Sequence, residues 1–322
     1  MCSCYDLWPQ FAKEVFDSQL ESFDISHYES LIFAGMGGSG TIGDMFSAIF
    51  SKTNIPTYVV KGYNLPKKAN KKSLIICTSV SGNTVETLNV LKKSIELGLE
   101  TISFTSGGKM EELCKKNNLE YRIIKKIHSP RATLPTFLYS LLKIFLNSIP
   151  ITKNEILESI QKLNQIQKNI NSKNLTMDNQ SILIASWMNK IPIIYYPWGL
   201  ESAAIRFKNS LQENSKIQVF AEDIIEASHN GIVPWKFDTE FFPFLIQGND
   251  DFVKTKERWK VCKKFFLQNQ IDFKEIHSGD GNILTKIIGL TYILDYASIY
   301  KAIMEKIDPS PVLPIEFIKK HL

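Results

Sequence analysis

Two short stretches hold residue types at spacings suited to binding an anion. The first is Gly35-Met-Gly-Gly-Ser-Gly-Thr-Ile-Gly-Asp44, which follows the apolar run Leu31-Ile-Phe-Ala34. The second is Thr78-Ser-Val-Ser-Gly-Asn-Thr-Val-Glu-Thr87, which follows Ser73-Leu-Ile-Ile-Cys77. A short apolar run without alternation reads as a strand buried on both faces, and residues at helical spacing come after each stretch. Both stretches are therefore expected at strand-to-helix turns. There, free backbone N–H groups and the positive helix end attract an anion such as phosphate. Hydroxyls around a glycine can complete such a site without a metal or a nucleotide loop. A plain N-cap by Ser81 or Asn83 would account for one hydroxyl. Three hydroxyls beside a second glycine turn favour a ligand.

Gly35, Gly37 and Gly40 also spell G-x-G-x-x-G, the dinucleotide fingerprint. That reading requires an acidic residue at the end of the next strand to hold the ribose hydroxyls. The next strand candidate, Ile55 to Val60, runs instead into Lys61-Gly-Tyr-Asn64, so the dinucleotide reading is set aside. The chain holds four arginines, Arg122, Arg131, Arg206 and Arg258, and each is a possible clamp for phosphate or carboxylate.

Together these stretches resemble the signature of sugar isomerase (SIS) domains. Within these the chain is similar to the bifunctional phosphoglucose/phosphomannose isomerases, which have two SIS domains. The likeness covers nearly the whole chain. It continues through Ser129-Pro-Arg-Ala-Thr-Leu-Pro135, Arg206-Phe-Lys-Asn-Ser-Leu-Gln-Glu-Asn-Ser-Lys216, Glu226-Ala-Ser-His-Asn230 and Asp308-Pro-Ser-Pro-Val312. The resemblance implies that Gly38, Ser39, Ser79, Ser81 and Thr84 hold a sugar phosphate. It implies that Glu213 shuttles the proton, with Arg131 near the enediolate and His229 and Lys319 at the sugar ring. The ending Ile318-Lys-Lys-His-Leu leaves Lys320 as an alternative, and spacing from the Asp-Pro-Ser-Pro turn favours Lys319. The resemblance further implies a homodimer in which the histidine comes from the neighbouring subunit. The activity it implies is the interconversion of glucose 6-phosphate and mannose 6-phosphate with fructose 6-phosphate.

The chemistry agrees with this set. Moving hydrogen between C1 and C2 of a sugar takes one base, and a carboxylate in a partly dry cleft can serve. The enediolate then requires a cation nearby. Ring opening requires proton exchange at the ring oxygen, where a histidine titrates in the right range. Each residue also has an ordinary explanation. Glu213 could be a solvated carboxylate at a helix end, His229 a loop histidine bonding its backbone, Arg131 a surface ion-pair partner and Lys319 a solvent-facing lysine. No cofactor is expected, and no metal, because no His, Cys and carboxylate cluster shows ligand spacing. Competing functions are an isomerase of another sugar phosphate and a non-catalytic sugar-phosphate sensor. A transcriptional sensor would add a helix-turn-helix, for which the first 25 residues are too short.

The elements that must carry these residues alternate strand and helix along the chain. The expected fold is α/β, with two doubly wound, mostly parallel-sheet domains in tandem, over residues 1–150 and 151–322. The expected strands are 31–34, 55–60, 73–77, 101–105 and 121–124, then 191–196, 217–220, 241–247 and 271–276. Helices are expected over 6–22, 43–51, 109–117, 134–148, 203–212, 252–268 and 283–305, with another ending at Leu97. Residues 151–180 read as polar helix followed by an Asn/Ser/Asp-rich linker, and Ile315 to Leu322 as a last helical turn. The 322 residues carry 38 basic and 33 acidic side chains spread along the chain, so nucleic acid is not an expected partner, and without an apolar run of 18 residues no membrane span is expected. Five scattered cysteines and the absence of a signal-like start predict a reduced, cytoplasmic protein.

Overall fold

The computed structural model describes residues Met1–His321 and divides into two compact units. One comprises Asp6–Leu163 with Gly281–Thr285; the other comprises Met1–Tyr5, Asn164–Asp280 and the chain from Lys286 onward.

The first unit is built on a parallel sheet of β1 (Ser30–Ala34), β2 (Thr57–Val60), β3 (Ser73–Ser79), β4 (Thr101–Thr105) and β5 (Glu120–Ile123). Every residue of β3 and β4 is buried, as their unbroken apolar or small-residue runs require of central strands. The strand order is β2-β1-β3-β4-β5, so the winding direction reverses between β1 and β3. Their register sets Ala34 beside Cys77, which places both glycine-rich turns at the carboxyl ends of these two strands. That reversal is where open α/β sheets leave a crevice for ligands. Behind β1 and β4, Phe33, Phe46, Phe104 and Phe145 stack or meet edge to face, and all are buried.

The second unit repeats the plan with β6 (Ile191–Tyr196), β7 (Phe220–Asp223), β8 (Phe241–Gln247) and β9 (Lys274–His277), all parallel, in the order β7-β6-β8-β9. The reversal lies here between β6 and β8. The short helix Cys2–Asp6 places Tyr5 in this unit, where its carbonyl accepts from the Tyr292 hydroxyl at 2.7 Å. Helix Ile283–Met304 is the one described helix long and apolar enough to span a membrane, but 83% of its most apolar window is buried. It is a core helix.

The expected elements are present, with instructive shifts. The lead-in helix over 6–22 is two helices, Cys2–Asp6 and Trp8–Asp17, because Pro9 fits only the first turn of the second. Helix Gly37–Phe50 starts inside the glycines rather than at 43. The residues read as linker before β6 contain helix Gln180–Trp187, capped by Asn179, whose side chain accepts from the Ser181 and Ile182 amides. Polar residues that looked like loop composition are here a helix start. Strand β7 begins at Phe220, not Ile217, since Lys216 is left-handed and turns the chain away first. Strand β9 covers only Lys274–His277; Ile271 and Phe273 pack on the Trp235–Trp259 core from irregular backbone. The tail helix runs over Leu313–Lys320, with Pro314 tolerated in its first turn.

Candidate active site

In the first unit, helices Gly37–Phe50 and Val85–Glu96 both begin at the strand-order reversal, and neither has a side-chain N-cap bond. The N-cap explanation for the second hydroxyl cluster therefore does not hold. Ser81 Oγ accepts from the Asn83 amide at 3.2 Å, within the turn. Asn83 Oδ1 instead accepts from the Lys109 amide, bracing the neighbouring turn. Ser79 Oγ accepts from the Gly82 amide at 3.1 Å and shares a 3.0 Å hydrogen bond with Thr84 Oγ1. Thus Ser79, Ser81 and Thr84 come together in one turn. Ser39 lies in the first turn of the adjacent helix, just after Gly38, and is largely buried.

Glycine is required at two points here. A Cβ on Gly40 would meet the Gly35 carbonyl oxygen at 2.9 Å. Gly82 has φ +66°, and a Cβ there would lie 1.7 Å from the Gly107 oxygen. The Met110 amide donates to the Gly82 carbonyl at 2.9 Å, fixing that close approach. Hydroxyls and two uncapped helix starts thus meet at one sheet reversal, an arrangement whose chemistry suits an anion. Lys61 Nζ, at the end of β2, pairs with Asp44 at 2.7 Å. Burial pushes the Asp44 carboxyl up, and Lys61 opposes that shift. A cation thus occupies the place where the dinucleotide fingerprint needs an acid, which agrees with setting that reading aside.

Arg131, in the turn before helix Leu134–Ile144, is 4% exposed and so is not a surface ion-pair partner. Arg122 pairs with Glu120 at 2.7 Å, Arg206 is buried against Asp295, and Arg258 lies half-buried along a groove. That groove, a cavity of about 630 Å³ between Ile232, Val233 and helix Val253–Gln268, is lined by none of the candidate residues.

In the second unit, Glu213 does not end an ordinary helix. Helix Glu201–Ser210 continues into a π-helical turn, Leu211–Ser215, which carries Glu213 half-buried. Such turns are uncommon and recur at functional sites. A buried network holds this one from below. Arg206 donates to Asp295 through Nε at 3.2 and 3.1 Å and through an Nη at 2.7 Å. Ser210 Oγ donates to the same carboxylate at 2.5 Å, and Asn214 Nδ2 donates to Ser298 Oγ at 2.8 Å. Burial works against the Arg206 charge, but Asp295, Tyr5 and Glu213 outweigh it and push its pKa above the ordinary value.

His229 is exposed in the turn after helix Ile224–Ala227, its amide donating to the Glu226 carbonyl at 2.8 Å. Lys319 lies exposed on the tail helix, as does Lys320. Among the described residues, no three His, Cys or carboxylate side chains gather as metal ligands. The network members Asp295 and Ser298 escaped sequence reasoning, since a lone polar pair in an apolar helix carries no motif.

Known proteins share this chain's features along most of its length. A family model for the bacterial phospho-glucose isomerase C-terminal SIS domain matches residues 177–322. A putative phosphosugar isomerase from Salmonella typhimurium LT2 has the same fold. Its TM-score is 0.70 at 16% identity, with 97% of this chain and 96% of that one covered. A D-glucosamine-6-phosphate 4-epimerase from Sulfolobus acidocaldarius is 26% identical over 77% of this chain and 78% of its own. A bifunctional phosphoglucose/phosphomannose isomerase from Aquifex aeolicus is 30% identical over 305 residues, 93% of this chain and 92% of its own. With that identity along nearly the full length of both, the chain belongs to the bifunctional phosphoglucose/phosphomannose isomerase family.

Proposed function

We propose that the protein is an aldose–ketose isomerase that interconverts glucose 6-phosphate and mannose 6-phosphate with fructose 6-phosphate. The observation that carries this reading is the cradle of paired glycine turns at the β1/β3 reversal, in a chain of that family. Gly38, Ser39, Ser79, Ser81 and Thr84 bind the phosphate, which does not react and serves as the handle.

The Glu213 carboxylate takes a proton from C1 of the ketose and returns it to C2. The electron pair left behind forms an enediolate, whose negative oxygen Arg131 stabilises. C2 of the enediolate is planar, so proton delivery to opposite faces gives the glucose or the mannose epimer. His229 and Lys319 exchange the protons that open the ring. His229 is exposed in its own chain, which suits a residue lent to the site of a partner subunit in a homodimer. The five free cysteines fit a reduced, cytoplasmic setting.

The test is purified protein with fructose 6-phosphate and EDTA. Both glucose 6-phosphate and mannose 6-phosphate should appear, and appearance of neither overturns the reading. The likeness to a glucosamine-6-phosphate epimerase favours one second reading, an amino-sugar substrate. Conversion of glucosamine 6-phosphate at a higher kcat/KM than fructose 6-phosphate would select it.

A further inference from the structure

We propose that Lys216 is a positioning residue that latches the C-terminal tail, and with it the helix Leu313–Lys320, onto the turn that carries Glu213. The consequence for activity rests on the isomerase reading above; the latch itself does not.

Lys216 follows the π-helical turn directly and has φ +59°, a left-handed conformation that strains any residue with a Cβ. Glycine would be easier there, so the side chain contributes something the backbone does not need. Its ammonium donates to two carbonyl oxygens, Glu213 O at 2.5 Å and Pro311 O at 2.6 Å. The end of a helix leaves carbonyls without intrahelical donors, and a lysine with three N–H groups on a flexible stem can serve two at once. The Ser310 amide bond holds the Asp308 carboxyl below its ordinary range, and the Lys216 charge adds to that. The cation thus has an acceptor on the turn, an acceptor on the tail and a carboxylate nearby.

The two sides of this latch differ in how firmly they are held. The turn is fixed from beneath by Asn214 and Ser215, which bond Ser298 Oγ and Ser298 O at 2.8 and 2.7 Å. Helix Leu313–Lys320 has no buried residue; Leu313 and Phe317 are exposed, as is Lys319. Position therefore passes from turn to tail, and Lys216 is a link between them.

The experiment uses the full chain with Lys216→Met, Lys216→Arg and Lys216→Gly, each alone and with Lys319→Ala. Methionine keeps the stem and loses the donors; glycine also relieves the left-handed strain. Backbone amide hydrogen exchange over 313–320 should quicken by about tenfold or more in the Met and Gly variants and stay near wild type in Arg. The kcat for fructose 6-phosphate should fall by about tenfold in the same two, with KM within about twofold. In the Lys319→Ala background the Met and Gly changes should cost less than about twofold more, because the residue they place is already gone. Unchanged tail exchange in a folded Lys216→Gly protein would overturn the latch. Losses that multiply with Lys319→Ala would overturn its role in placing that lysine. A wild-type protein that fails to isomerise fructose 6-phosphate refutes the isomerase reading instead, and the exchange measurement still decides the latch.

Discussion

Gly82→Ala should cripple substrate binding far beyond the cost of placing alanine in a left-handed conformation. The comparison is Gly98→Ala. Gly98 ends the helix Val85–Glu96 with φ +61° and has nothing within 4 Å of where a Cβ would sit. Both substitutions carry the same backbone strain, about 1–2 kcal/mol. Only Gly82 adds a collision, with its Cβ 1.7 Å from the Gly107 oxygen. The turn, the Gly107 loop or both must then move by more than about 1 Å, a displacement that can cost roughly 100-fold in a positioned site. Moving the turn carries Ser79, Ser81 and Thr84 with it. Loss of two charge-assisted hydroxyl bonds, about 1.5–3 kcal/mol each, corresponds to roughly 150- to 25,000-fold in kcat/KM. The assay is initial-rate isomerisation of fructose 6-phosphate by the two variants and wild type, with thermal unfolding alongside. Gly98→Ala should lower the melting temperature modestly and leave KM near wild type. Gly82→Ala should raise KM by at least about 100-fold. Equal kinetic constants in the two variants would refute the cradle as the phosphate site.

Three other outcomes are expected. Glu213→Gln should bind fructose 6-phosphate normally, by calorimetry, yet lose isomerisation; a residual rate above about a tenth would exclude a unique base there. Asp295→Ala strips the buried Arg206 of its partner and should cost about 3–5 kcal/mol in denaturant unfolding, whereas Arg206→Met with Asp295→Leu should cost less. A loss under about 1 kcal/mol in the single variant would mean the pair does not hold the π-helical turn. Mixing Glu213→Gln with His229→Ala homodimers should restore roughly a quarter of wild-type sites if each site draws on two subunits. Demonstrated subunit exchange without recovered activity would confine both residues to one chain.

Local chemistry made the two glycine turns legible from residues alone. A buried apolar run, then glycines, then helical spacing defines a strand, a turn and a helix start within about a dozen residues, and helix starts attract anions wherever they occur. What brings the two turns together is the pairing of β1 with β3 rather than with β2 alone, a long-range choice that no stretch of residues announces. Linker composition before β6 concealed a helix because Asn179, a residue typical of loops, is equally suited to capping one. The strand expected from Ile217 begins three residues later, at Phe220, because the left-handed Lys216 turns the chain before it can extend.

Glu213 itself was marked by its resemblance, but its setting was not. A π-helical turn differs from an α-helix by one residue in its hydrogen-bond register, a difference too small for side-chain periodicity to reveal. The partners that hold it lie far off in sequence: Arg206 and Asp295 are 89 positions apart, Lys216 and Pro311 are 95 apart. The Arg206–Asp295 pairing exists because burying the Asp295 charge in an apolar helix is tolerable only against a cation and hydrogen-bond donors. The sequence carries each half of such a pair without stating that they meet. Only folding supplies the low-dielectric surroundings that make their meeting necessary.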